Sequence, residues 1–367
     1  MKRIKTIDTI RGTCILLMIF LHMLSWWVRP QDYWLTSLLH SILGDLAAGG
    51  FLFVSGLSAV IFLRSRLAKA ENIIKEKNAK KEYFIRASFI LLVALIYNSA
   101  TAIGTLDPSN IWKWFIPLTI ATSLFLAYPL FYTPKLFRLI FALIIWIAHY
   151  YVLSFLLPYQ GQFNILGISY FILYNEVGLH PILNYFSFFL VGTVIGDILF
   201  EISLKNNKKE NLLMFRTKLW IPSLIIGPIL ILFGVLFLFP NFLSHGTLSS
   251  MFYSLGIFIT SFTILLIIEE SEAIKVKKSY RFFYYYSYYS LTIYFTHNVI
   301  YFIFVDQLNA YTIWFAAVGT IIILTLIIRV VYKKYSIKAS MKAHIGRLSL
   351  IIVKNIEAKQ RESNSSE

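Results

Sequence analysis

Residues 8–22 read DTIRGTCILLMIFLH. The run from Thr13 to Leu21 is apolar enough to dissolve in lipid, yet Asp8 and Arg11 open it and His22 interrupts it. At a bilayer centre an Asp or Arg costs roughly 2.5–3.5 kcal/mol. A helix that keeps such groups has a use for them, and the rest of the chain has to supply it.

Composition identifies the solvent. The chain has 367 residues, 58% hydrophobic and only 14% charged, with a mean hydropathy of +0.69. Soluble domains carry about 25% charge, so most of this chain belongs in a bilayer. Segments near the roughly 20 residues needed to span lie at 9–28, 41–63, 83–104, 111–131, 136–157, 181–200, 219–239, 248–268, 286–305 and 311–332. The prediction is an all-α polytopic membrane protein of about ten transmembrane helices. A further apolar stretch, 162–175, is too short to cross and reads as surface-lying or re-entrant. The first apolar run is too long for a cleavable signal peptide, and no small-residue cleavage site follows it.

Basic residues orient these spans. With the N-terminus inside, segments 1–11, 64–86, 131–138, 201–218, 269–285 and 329–367 hold 32 of the 34 Lys and Arg, leaving Arg29 and Lys113 outside. The positive-inside rule then puts both termini in the cytoplasm. An eleventh span at 162–175 would invert everything after it. The net charge of +16 is explained by topology and anionic lipid and implies no nucleic-acid partner. A multi-pass protein of the plasma membrane is expected.

One membrane domain, 1–336, is followed by a cytoplasmic segment, 337–367. There Ile337, Met341, Ile345, Leu348, Ile352 and Ile356 recur at helical spacing among Lys338, Lys342, Arg347 and Lys354, the pattern of an amphipathic helix on the inner leaflet. The terminal RESNSSE reads as disordered. Trp26, Trp27, Trp34, Trp112 and Trp114 at outer helix ends, and RFFYYYSYYS at an inner one, read as aromatic belts. Cys14 is the only cysteine, so no internal disulfide forms. His149, within IIWIAHYY, reads as packing, and no cluster has metal-ligand spacing.

Arg11 and His22 are eleven residues apart, close to three turns, so they share a helix face about 16 Å apart along the axis. Asp8, Ile15 and Met18 complete that stripe. In the second span, GDLAAGGFLFVSGLS (44–58) places Asp45 at the depth of His22, where a carboxylate can orient an imidazole. Gly49 and Gly56 share one face and permit close helix approach. The span ends in FLRSR, putting Arg64 and Arg66 at the inner mouth with Arg11. Guanidiniums so placed suit a polyphosphate anion, although stop-transfer charge and a structural histidine explain the same residues.

Taken in order, D-x-x-R-G, a histidine eleven residues after that arginine, F-x-x-S-G and R-x-R resemble the membrane acyltransferase superfamily that contains acyltransferase family 3. DTIRG with LLMIF, then D-L-x-x-x-x-F-x-F-x-x-G ending at Gly56, is closer to its heparan-α-glucosaminide N-acetyltransferase branch. FFLVGTVIGD (188–197) and YYSLTIYFTHN (288–298) resemble the mid-chain helix and C-terminal signature of the same superfamily. The resemblance implies transfer of an acyl group, acetyl foremost, from cytoplasmic acyl-CoA to a hydroxyl or amine of an extracytoplasmic glycan or lipid-linked sugar. It places the CoA phosphates on Arg11, Arg64 and Arg66, makes His22 the general base with Asp45 orienting it, and needs no metal. Ser55 and Tyr294 are candidate donors to the thioester oxygen.

In one respect the chain departs from the branch. Its eukaryotic members carry Asn at the position of His22 and use a histidine of the following lumenal loop, where this chain offers only His40, at another spacing. His40 is therefore the reserve base. Tyr294 and His297 on the ninth span, and Glu176 and His180 beside the re-entrant piece, are candidates to line the acceptor site. Direct transfer and an acyl-histidine intermediate both remain open. The rival reading is a transporter or lipid flippase, but the paired broken helices of two related halves are not evident in the sequence.

Overall fold

Large apolar side chains on the outside mark the solvent of this molecule. In the computed structural model, which describes residues 3–175, 179–204, 207–271 and 280–365, helices α5 (Lys135–Leu156), α9 (Ile221–Phe237) and α13 (Thr312–Tyr335) turn Leu, Ile and Phe outward. On α9 the buried positions are Ser223, Gly227 and Gly234, while Ile225, Ile229, Leu232 and Leu236 are exposed. In water such a surface would aggregate; in hydrocarbon it is the favourable arrangement. No strand occurs among the described residues. The chain is an all-α polytopic membrane protein.

Among the described residues, eight helical stretches are long and apolar enough to cross a membrane. Two of the ten expected spans take another form. Segment 111–131 becomes a 3-10 turn (Pro108–Trp112) and a 15-residue helix, α4 (Ile116–Leu130), with prolines near both ends. Segment 286–305 is broken into α11 (Tyr280–Tyr288), α12 (Ser290–Thr296) and a 3-10 run, His297–Ile303. Segment 162–175 holds α6 (Ile165–Leu173), nine residues capped by Asn164, whose side chain accepts from Gly167 N.

Contacts divide the chain into two compact units, Ser55–Asn206 with Ala343–Glu367, and Lys2–Val54 with Asn207–Lys342. Helix α2 (Tyr33–Leu67) runs through both. The first unit also contains α3 (Ile73–Thr105), α4, α5, α6, α7 (Ile182–Ser203) and most of α14 (Met341–Ser365). Its centre is α7, apolar all round and buried along nearly its whole length, the pattern of a core helix. Gly56 lets α2 meet α7: a Cβ there would lie 2.0 Å from Phe189 O. On α14 the inward residues are Ile345, Ser349 and Val353, one turn apart, whereas Leu348 stays exposed. The sequence predicts a disordered end from Arg361; the described backbone is helical to Ser365.

The second unit contains α1 (Lys5–Trp27), the first part of α2 up to Val54, α8 (Lys208–Phe215), α9, α10 (Leu248–Glu270), α11, α12 and α13. Glu269 of α10 caps α1, accepting from Lys5 N, Thr6 N and Thr6 Oγ1, each at 2.8 Å. A carboxylate on the first amides of a helix satisfies orphan donors and its dipole together. Gly12 admits α11: a Cβ there would lie 2.6 Å from Phe283 O.

Candidate active site

The charges of the opening stretch do two different things, both within the second unit. Asp8 is buried and accepts hydrogen bonds from Arg3 Nε at 2.6 Å, Ser287 Oγ at 2.7 Å and the Tyr280 hydroxyl. Arg11, one turn on, is also buried, with its guanidinium 3.5 Å from Ser287 Oγ. Asp8 and Arg11 thus dock α11 against the face that Gly12 opens. Arg11 was expected at a cytoplasmic mouth; it lies under the RFFYYYSYYS segment, which is a packed helix as well as an aromatic one.

His22 lies further along the same helix, half-buried. Its ring is 4.9 Å from that of Trp26 and 5.0 Å from that of His297. The break in the ninth span puts His297 there. Nothing in YYSLTIYFTHN forces a kink, but the groups freed by one are satisfied. Ser340 Oγ donates to Tyr288 O, Trp27 Nε1 donates to Ile300 O, and His297 Nδ1 lies 2.5 Å from Tyr294 O. Broken helices persist in membranes where protein groups re-satisfy the backbone. Tyr294 is buried, with its ring 5.7 Å from His297.

Asp45 is 3% exposed, and its carboxylate holds His245 Nδ1 at 2.7 Å and accepts from Gly246 N at 3.3 Å. The orienting carboxylate expected for His22 therefore serves another imidazole, delivered by the loop before α10. His245 keeps about a third of its side chain exposed, and its Nδ1 would lie 3.8 Å from a Cβ on Gly44. Sequence reading missed His245, because the partner of Asp45 comes from 200 residues away. His40, expected in a loop, is helical: no proline or glycine stops α2 between Tyr33 and Leu43. Its Nε2 is 3.2 Å from Ser25 Oγ and its Nδ1 3.0 Å from Thr36 O.

Arginines of the first unit divide in the same way. Arg64 and Arg66 are two residues apart, so a helix sends them to nearly opposite faces. Arg64 Nε bonds Asp197 at 3.0 Å and its Nη2 bonds Phe131 O at 2.7 Å. Arg138, 1% exposed, bonds Asp197 from the other side and reaches Thr193 Oγ1 at 3.0 Å. This is an ionic cluster centred on the buried Asp197. Arg66 instead pairs with Glu82 at 3.2 Å, and Arg86 pairs with the same carboxylate at 2.7 Å. Phe62, Ser65, Arg66, Lys69 and Arg86 line a basic recess of about 300 Å³, with both guanidiniums near the Phe62 ring. Arg86 Nε also donates to Ser349 Oγ of α14 at 3.2 Å. Arg64, expected with Arg66 at an anion site, belongs to the Asp197 cluster, and Lys69 and Arg86 take its place beside Arg66.

Two further candidates, His180 and Ser55, belong to the first unit. His180 is tied by its backbone to Trp114 O and Thr119 Oγ1, with its ring against Tyr185. Glu176 lies outside the described residues. Ser55 is half-buried on α2. His149 is buried, with its ring 5.6 Å from that of Tyr174, in keeping with a packing role. Among the described residues no group of three His, Cys, Asp or Glu side chains could hold a metal ion.

A protein-family model described as heparan-alpha-glucosaminide N-acetyltransferase, catalytic, matches residues 3–231. No curated protein matches the chain.

Proposed function

The chain belongs to the heparan-alpha-glucosaminide N-acetyltransferase catalytic family, and on that premise we propose that it acetylates an extracytoplasmic acceptor from cytoplasmic acetyl-CoA, with His245 as the general base. The family makes the protein a membrane acetyltransferase. The observation that carries the assignment of the base is the 2.7 Å bond between His245 Nδ1 and the buried Asp45 carboxylate. A carboxylate on Nδ1 fixes the tautomer in which Nε2 carries the lone pair, and it stabilises the imidazolium formed when that nitrogen takes a proton. The acceptor hydroxyl or amine then attacks the thioester carbonyl. Its proton passes to His245 Nε2, the C–O or C–N bond forms, the C–S bond breaks, and the proton is returned to the departing thiolate. The developing oxyanion requires donors such as backbone N–H groups.

The donor phosphates are assigned to Arg66, Lys69 and Arg86. Arg suits them because its fork binds two phosphate oxygens at once. The Phe62 ring beneath the guanidiniums adds an apolar floor that an adenine could share. Asp45 and Arg66 stand on one helix, α2; the positive-inside distribution of basic residues supports both termini inside, and the membrane is taken to be the plasma membrane. The acceptor is a glycan or lipid-linked sugar.

A second reading has one observation in its favour: His22 faces His297 across 5.0 Å and could itself be the base. Acetyl transfer or acetyl-CoA hydrolysis by purified protein in detergent separates the two. His245→Ala should bind acetyl-CoA normally and lose roughly 10²–10⁴-fold in rate, the span of general acid–base catalysis. His22→Ala and His40→Ala should lose far less. The reverse ranking would move the base to His22, and wild-type protein that never releases the acetyl group would point to a transporter.

A further inference from the structure

Behind His297 the second unit holds a cavity that the transfer chemistry leaves unused. It lies between α12 with its 3-10 extension and α13, has a volume of about 260 Å³, and is walled chiefly by Ile293, Ile300, Leu324, Ile327, Ile328 and Val331. At roughly 30 Å³ of liquid volume per water, that is room for a chain of many methylenes, far more than an acetyl group occupies. Its rim is apolar as well: Val299 and Ile327 are 72% and 51% exposed. In a protein whose exposed apolar faces meet lipid, an opening between such residues admits molecules from the bilayer.

The polar groups along the wall are committed, with one exception. The Tyr289 hydroxyl donates to Ser336 O, Thr292 Oγ1 donates to Ala339 O and accepts from Met341 N, and Thr296 Oγ1 donates to Thr292 O. His297, 4% exposed, spends Nδ1 on Tyr294 O, while its buried Nε2 has no hydrogen-bond partner. A carbonyl can only accept, so Nδ1 carries the proton and Nε2 presents a lone pair. A buried acceptor left unsatisfied is costly, and the group that satisfies it must be a donor. A ketone, an ether or a plain hydrocarbon chain cannot supply one.

We infer that this cavity binds an alcohol carried on an apolar chain, the chain lying among the Leu and Ile side chains and the hydroxyl donating to His297 Nε2. The inference does not rest on the acetyl-transfer reading, whose acceptor proton is assigned to His245 Nε2. Binding itself is independent of turnover.

The test uses the full chain in lipid nanodiscs and a photoreactive straight-chain alcohol of about ten carbons, with labelled peptides mapped by mass spectrometry. Label should fall on α12 and α13, and the unmodified alcohol should compete at least tenfold better than its methyl ether or the matching alkane. Leu324→Trp or Ile328→Trp, each filling the cavity, should abolish this labelling. His297→Phe should retain labelling and lose the preference for alcohol over ether. Label scattered over all lipid-facing helices, or equal competition by ether and alcohol in wild-type protein, would overturn the site. If acetyl transfer is absent while the alcohol preference stands, the cavity is upheld and only the proposed function fails.

Discussion

Asp197 and Asp45 are both buried carboxylates on apolar helices, 4% and 3% exposed, and they do opposite work. Asp197 sits between the guanidiniums of Arg138 and Arg64, which also donate to Thr193 Oγ1 and Phe131 O. Both guanidiniums are paired with this one carboxylate, so the network ties α2, α5 and α7 together. Asp45 faces an imidazole, the kind of group that can act as a base, on a ring that reaches the surface. Ionisable groups in a membrane chain sort by this contrast. Burial and charge do not mark chemistry; a titratable partner with an outlet does.

Removing Asp197 should give the largest effect. Asp197→Ala leaves Arg138 buried without a counter-charge, and uncompensated buried charges cost about 3–5 kcal/mol. A steep loss of folded protein in thermal unfolding in detergent is expected, while Asp45→Asn should melt close to wild type. Equal destabilisation by both would erase the distinction.

The arginines offer the next contrast. Arg86→Ala should weaken acetyl-CoA binding by about 1.5–3 kcal/mol, the value of a charged hydrogen bond, and flatten its salt dependence. Arg64→Ala should instead act on stability, since Arg64 belongs to the Asp197 cluster. Calorimetry of donor binding beside melting curves would expose an exchange of roles.

Helix approach should matter less. Gly56→Val pushes a side chain into Phe189 backbone, and overpacking costs about 1–3 kcal/mol; the change should lower the unfolding midpoint and leave donor affinity nearly unaltered. The smallest effect should come from the break in the ninth span. Ser340→Ala removes one hydrogen bond to Tyr288 O, worth about 0.5–1.5 kcal/mol, and faster amide exchange near Tyr289 and Thr292 should report it. Unchanged exchange would mean that the break is held by something else.

Much of the fold was legible because its signals are local. Apolar run length marked the membrane helices, and the shortness of 162–175 marked α6 as a non-crossing piece. Asp8, Arg11 and His22 announced themselves by their cost in lipid, but what they touch is tertiary. Asp8 and Arg11 both meet Ser287 of α11, which arrives more than 270 residues later. Arg64 could have been separated from Arg66 by helix geometry alone, since two residues apart means opposite faces. His245 could not have been found: it stands in an unremarkable loop, LSHG, and only folding brings it to Asp45. The break at Tyr289 was equally hidden, because Ser340, 52 residues from Tyr288, relieves it in place of a local proline or glycine.

Whether Asp45 and His245 act as one unit in acetyl transfer is decided by a double-variant cycle on the transfer rate. Asp45→Asn, His245→Ala and the pair would be compared at saturating acetyl-CoA, with donor affinity measured beside each rate. Groups that act as a unit lose activity non-additively. The expected result is a double variant no slower than His245→Ala alone, with all three binding acetyl-CoA as wild type does. Losses that multiply, or a His245→Ala protein that transfers at the wild-type rate, would contradict it.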